Sequence, residues 1–331
     1  MKEAIIERCE LFIWNRDIVK LAVPWENSYF YPICASLFTD KGINADEEKI
    51  KECRKLLKSR VNAFSSFRGA AELSLVAMLA IEDEPERRLD EAMQVYSGLK
   101  EHFFSSEYLP VAAMILSGAV EKERYGDICE RTRRIYDLMK NEHPFLTSSE
   151  DSVFAAMLAL SDRDDADLIN EIEACYNILN EKFFDKNAVQ SLSHVLALAD
   201  DKVRTAQEKC RDIIRLFDTL KEKKYKYGTG YELATLGVLA TLPCGFDETV
   251  NDLIAAADYL GEQKGYGFFG MGKTMRMMHA GMIVTSAHMG RSDKMNSAAL
   301  SSTLSLVAAQ QAAVCAAIAA SVAAANAARS T

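Results

Sequence analysis

The 331-residue chain contains only six prolines and no stretch in which apolar and polar residues alternate with a period of two between hairpin turns, so nothing in it calls for a β-sheet. Its eight cysteines stand at positions 9, 34, 53, 129, 175, 210, 244 and 315 without a CxxC pair. That spacing argues against a structural zinc site and reads as buried thiols of a reducing compartment. Basic residues are in the minority, 39 against 48 acidic, for a net charge of −9. A broad nucleic-acid footprint, which needs clustered Lys and Arg, is thereby excluded, while a small anionic ligand is not. The N-terminal residues MKEAIIERCELFIWNRDIVK carry charge throughout and lack the uninterrupted apolar core of a signal peptide. No HExxH or similarly spaced ligand cluster sits within one helix, so neither a metal nor a cofactor is expected.

What the chain does contain is a repeat. Ser28–Phe38 and Ser106–Leu116 share one pattern, each with a proline early in an apolar run, where the first amide protons of a helix have no intrahelical acceptor. In register with them lies a triplet of one small and two bulkier residues at Ala35, Ala77, Ala113, Ala156, His194, Gly237 and Gly281, in steps of 36 to 44 residues. Between these apolar helices run charged ones such as Glu86–Lys100 and Ala206–Phe217, whose apolar residues recur at three-and-four spacing. The pattern predicts an all-α fold of about seven helical hairpins of roughly 40 residues, each a half-wet outer helix followed by an apolar inner one, forming an α/α toroid or a curved α-solenoid. The repeat domain is placed at residues 1–290. An Ala-rich helical segment, 291–331, follows without a charge between Lys294 and Arg329. It is too weakly hydrophobic for a membrane anchor and suits self-association or contact with a partner.

The segments His143–Ala156, Asn187–Ala197 and Gly265–Lys273 resemble the bacterial family known as domain of unknown function 4003, over roughly residues 10 to 290. The resemblance implies a bacterial, cytoplasmic protein and carries no activity with it.

Several residues break the repeat's rules. Gly267–Thr274 fits the P-loop pattern GxxxxGK[ST] letter for letter, but that loop needs a preceding strand. Here the preceding Val250–Leu260 reads as a helix, so the segment is expected to be a glycine-rich link within a hairpin. Lys273, Arg276 and His279 then follow at three-residue spacing in an otherwise apolar inner helix. Cations at a helix N-terminus are opposed by its dipole, and Arg68 is anomalous in the same way. Glu107, Glu150, Asp151 and Glu232, at the starts of other inner helices, suit that dipole. Two arrangements are open: the cations pair with these acids in a polar ring, or they line the mouth of a cavity and hold a carboxylate or phosphate. His194 is the departure from the small-residue position, and such a breach marks a place to seek a site. The candidate ligand-binding set is Arg68, Glu107, Asp151, His194, Glu232, Lys273, Arg276 and His279. The leading function is binding of a small anion or acidic peptide in a central or concave cavity. The alternative is a toroid enzyme with a carboxylate/His acid–base pair acting on a carbohydrate, isoprenoid or peptide. Aromatics at the turns entering the inner helices (Phe64 and Phe67, Phe103 and Phe104, Phe183 and Phe184, Tyr225 and Tyr227, Phe268 and Phe269) are expected to plug the space between layers.

Overall fold

The structure is a computed structural model that describes residues 2–198, 204–240, 242, 244–267 and 270–292. The Ala-rich segment from 293 onward and the pair Phe268–Phe269 lie outside the described residues. Fourteen α-helices and no strand are found among those described, long and short elements alternating up to α13. They are α1 (Lys2–Ala22), α2 (Phe30–Asp40), α3 (Glu47–Arg60), α4 (Glu72–Ala80), α5 (Pro85–His102), α6 (Leu109–Ala119) and α7 (Tyr125–Glu142). There follow α8 (Asp151–Ala159), α9 (Asp165–Leu179), α10 (Lys186–Leu198), α11 (Ala206–Glu222), α12 (Leu233–Leu239), α13 (Phe246–Glu262) and α14 (Lys273–Ser292).

Odd-numbered helices are the amphipathic ones and even-numbered helices the buried ones. In α7 only one face is covered, by Ile128, Cys129, Thr132, Ile135 and Met139, whereas every residue of α8 is buried. Pro110 occupies the first turn of α6, where its missing amide proton costs nothing. The triplet residues all fall inside the even-numbered helices, and Ala35, Ala77, Ala113, Ala156 and His194 are buried. Gly237 shows why small residues recur there: a Cβ on it would stand 2.7 Å from Leu192 Cδ1 and 3.1 Å from Val195 Cγ1 of α10. The α10 and α12 backbones approach too closely for more than a hydrogen atom.

Two compact units divide the chain. The second unit comprises residues 14–38 and 44–165, and in it outer helices pack on outer ones (α3 on α5, α5 on α7) and inner on inner (α4 on α6, α6 on α8). The first unit comprises residues 2–13, 39–43 and 166–292 of those described, with α10 on α12, α12 on α14, α11 on α13 and α13 on α14.

One device recurs at the ends of the inner helices, whose last carbonyls have no intrahelical partner. A cation from an outer helix, or from just before it, donates to them. Arg8 Nη1 reaches the Thr39 carbonyl at 2.6 Å, Lys49 Nζ that of Glu82 at 2.7 Å, and Arg88 that of Met114. Arg131 Nη1 reaches Ala159 at 3.0 Å, Lys209 Nζ reaches Leu196 at 3.2 Å, and Arg204 Nη1 reaches Ala240 at 3.1 Å. Each contact lies within one unit and sets positive charge against the negative end of a helix dipole. Lys209 is wholly buried and also pairs with Glu171 Oε1 at 2.6 Å.

The turn aromatics divide into two kinds. Phe67, Phe103 and Phe183 turn inward and meet Tyr96, Tyr136 and Phe217 of the next outer helix edge-on, with ring centres 4.9, 5.2 and 5.1 Å apart. Phe64, Phe104 and Phe184 are fully exposed, as are Trp25 and Phe145 at equivalent places in other repeats. The expected interlayer plug thus holds for one member of each of these pairs. The turn has two aromatic positions and only one of them faces the gap between layers.

Candidate functional site

The first unit contains an open cleft of about 270 Å³ lined by Lys223, Lys224, Tyr225, Lys226, Asp258, Lys273, Arg276 and Met277. Three elements build it. The helix α11 ends at Glu222, and Tyr225 N donates back to the Leu220 carbonyl at 2.9 Å while Lys224 N donates to Lys221 at 3.0 Å. This closing turn requires a left-handed residue, and Lys224 supplies it at φ 69°. It is the one non-glycine residue with positive φ among the described residues. Glycine or asparagine normally fills that place. The turn fans Lys223, Lys224 and Lys226 outward, all three exposed.

The second wall is the C-terminal half of α13, which contributes Asp258. The Tyr225 hydroxyl is bonded to its carboxylate, 2.8 and 2.9 Å from the two oxygens. Burial raises the Tyr225 phenol above its ordinary range, its bond to Asp258 and that residue's charge raise it further, and Arg276 draws it back. The third wall is the start of α14. Lys273 is its first residue, and Arg276 lies one turn on with its guanidinium against Gly261, where a Cβ would stand 2.5 Å from Nη1. The Nε of Arg276 is buried and has no hydrogen-bond partner among the described residues. No carboxylate lies within ion-pair distance of Lys223, Lys224, Lys226, Lys273 or Arg276 among the described residues. Five cations therefore face one acid, at the positive end of a 20-residue helix.

Of the eight residues singled out from the sequence, Lys273 and Arg276 meet in this cleft. Arg68 ends a short 3-10 turn, Ser66–Arg68, in the second unit. Glu107, also in the second unit, accepts the Ala70 amide at 2.9 Å and packs on Gly69, tying one hairpin to the preceding one. Asp151, the first residue of α8, is buried, accepts the Ser148 amide at 2.7 Å and is pushed by desolvation up to about 7. Glu232 precedes α12 with its carboxylate folded over Gly228, where no side chain would fit. His194 is wholly buried in α10. His279 is equally buried, its Nδ1 2.8 Å from the Tyr266 hydroxyl. Among the described residues, the polar ring of paired cations and acids does not form around Lys273 and Arg276, and the carboxylate at the preceding inner-helix start, that of Glu232, lies over Gly228.

The P-loop-like segment is a link between two helices, α13 and α14, as its context in the sequence implies. Met271 N closes onto the Gly265 carbonyl at 2.8 Å, and Gly270 sits so near that carbonyl that a Cβ would stand 2.1 Å from the oxygen. Lys223, Lys224 and Lys226 were not among the sequence candidates. Their run, Lys221–Tyr227, reads as the solvated end of an outer helix, and the left-handed lysine at its centre leaves no trace in composition.

Fold and cleft together define an all-α protein of paired helices whose last two hairpins carry a basic pocket. The chain belongs to the family described as "Protein of unknown function (DUF4003)", which matches residues 16–312 and so reaches into the Ala-rich segment. It is 25% identical over 276 residues to "Uncharacterized protein YeaA" of Bacillus subtilis (strain 168), covering 80% of this chain and 79% of that protein. No solved structure matches. No helix among the described residues is long and apolar enough to cross a membrane.

Proposed function

We propose that the protein binds a small multiply charged anion, phosphate- or carboxylate-bearing, in the cleft between the end of α11 and the start of α14. The observation that carries this reading is the convergence of Lys223, Lys224, Lys226, Lys273 and Arg276 around a single, already bonded carboxylate. Cations placed at a helix start raise the energy of the empty site, and an anion there satisfies both the side chains and the helix dipole. No imidazole lines the cleft and Asp258 is its only acid among the described residues, so the acid–base pair of the enzymatic alternative is not assembled there, and binding is the reading we favour.

The test is a thermal-shift screen of phosphate and carboxylate compounds, with pyrophosphate and citrate as reference probes, followed by calorimetric titration of those that stabilise the chain. Wild type should bind with an affinity that falls as salt rises, and Lys273→Ala/Arg276→Ala should bind at least tenfold more weakly. Equal affinity in wild type and the double variant would sink the proposal.

For the course of the repeat we propose closure into an α/α toroid. Within the first unit, Ser286 of the last inner helix donates to the Thr39 carbonyl at the end of the first one, at 3.2 Å. Phe12 of the first outer helix also lies 6.0 Å from the His279 ring. Small-angle scattering that fits an extended superhelix instead of a ring would overturn that closure.

A further inference from the structure

We propose that Glu248, Asp252 and His288, completed by Cys244, form a binding site for one zinc ion that pins the last outer helix to the last inner one. Glu248 and Asp252 are four residues apart near the start of α13 and so share one face of it. His288 comes across from the C-terminal half of α14. One ligand atom from each of these three lies within 4.8 Å of the other two. Asp252 and His288 are buried, and Asp252 Oδ2 stands 2.9 Å from His288 Nε2. Cys244, two residues ahead of α13, places its thiol within hydrogen-bonding reach of the same imidazole and 3.1 Å from the Thr249 hydroxyl.

The donor chemistry selects the ion. Zinc takes imidazole nitrogen, thiolate sulfur and carboxylate oxygen at about 2.0–2.3 Å, so its ligand atoms stand roughly 3.5 Å apart in a tetrahedron. Three of the four donor atoms already lie within 4.8 Å of one another, and the Cys244 thiol lies against the imidazole of the third. Calcium and magnesium, which prefer six or more oxygens, are poorly served by a thiol and an imidazole. Charge argues the same way: two carboxylates face one imidazole in a largely buried place, an excess of negative charge that a divalent cation balances. Four protein donors leave no open position, as in structural zinc sites. The ion would act on the stability of the α13–α14 hairpin. This site is independent of the anion cleft. Arg276 and His288 are twelve residues apart on α14, about 18 Å at 1.5 Å per residue.

The test uses the full chain without a histidine tag, stripped with a chelator and then titrated with zinc, and with cobalt as an optical probe. Elemental analysis should find one zinc per chain and a raised melting temperature. The cobalt form should show tetrahedral ligand-field bands together with a thiolate-to-metal charge-transfer band. Cys244→Ser should remove the charge-transfer band, and Glu248→Gln should weaken zinc binding at least tenfold. Both positions are half-exposed, so these variants are expected to fold, whereas His288→Gln tests the buried donor. A wild-type chain that takes up neither metal at one equivalent, or undiminished binding in both Glu248→Gln and Cys244→Ser, would overturn the proposal.

Discussion

Lys224→Gly separates the energetic cost of the cleft from its use. Lys224 holds φ 69° at the turn that ends α11, a conformation that costs an ordinary L-residue about 1–2 kcal/mol. Glycine adopts it freely but loses about 0.5–1 kcal/mol more than other residues through its larger freedom in the unfolded chain. The balance is a net stabilisation of about 0.5–1 kcal/mol, or about 1 °C in melting temperature for a chain of this size. The same substitution removes one of five cations from the cleft. An exposed ion pair is worth at most about 1 kcal/mol, so pyrophosphate should bind up to about fivefold more weakly. Stability is to be read by calorimetry and urea unfolding, affinity by titration, each in parallel with Lys224→Ala. Alanine deletes the charge but keeps the Cβ, and should lose affinity without gaining stability. Salt provides the internal control: relief of backbone strain is indifferent to it, whereas relief of repulsion among the lysines fades at 0.5 M, where screening is strong. Equal stabilisation by glycine and alanine, vanishing in high salt, would refute the strain argument.

Gly237→Ala should destabilise the fold by about 1 kcal/mol, since overpacking against Leu192 and Val195 costs about 1–3 kcal/mol and alanine's helix propensity returns about 1. Gly126→Ala, at an exposed position with nothing within 4 Å, should move the urea midpoint the other way. Stability should also fall as pH rises from 5.5 to 8. Asp151, held at about 7 by burial against an ordinary 3.8, binds its proton more tightly in the fold than in the unfolded chain. Its contribution is fully present below about pH 4 and lost as pH rises through 7, on the order of 2 kcal/mol over that interval. Asp40 is likewise pushed up to about 7 by burial, so Asp151→Asn should remove about half of the slope, and an unchanged slope would refute the assignment.

The repeat was legible in the sequence because its two layers write different periodicities. Glu86–Lys100 keeps a three-and-four apolar spacing and became α5, and the apolar run through Ala113 became α6. The shared small residue was legible as well, since close helix approach excludes a side chain, as at Gly237. The cleft was half legible. Lys273 and Arg276 stood out against an apolar helix, but their lysine companions come from a polar run some fifty residues earlier, and only the packing of one hairpin on the next brings the two together. His194 broke the register and proved to be a buried side chain of α10, so a departure from pattern marks an unusual environment before it marks a site. The zinc donors had the weakest sequence signal of all, because 36 residues separate Asp252 from His288 and no single-helix motif spans them.

Charge sorted by helix end explains which sequence anomalies point to function. Six inner helices have a lysine or arginine on a carbonyl in or just past their last turns, so cations at those ends are accounted for by carbonyl acceptors and dipole alike. Acids hold the opposite ends in the same spirit, as Glu107 does on the Ala70 amide and Asp151 on that of Ser148. At the start of α14 the signs are inverted: Lys273 and Arg276 stand where acids stand elsewhere, three further lysines crowd toward them, and one of those lysines holds a backbone conformation that favours glycine. The cations at the start of α14 and the left-handed lysine are each unfavourable for the empty protein. The proposed anion would turn those cations into stabilising contacts, and the left-handed turn is what sets Lys223 and Lys224 in the wall of the same cleft as Lys273 and Arg276.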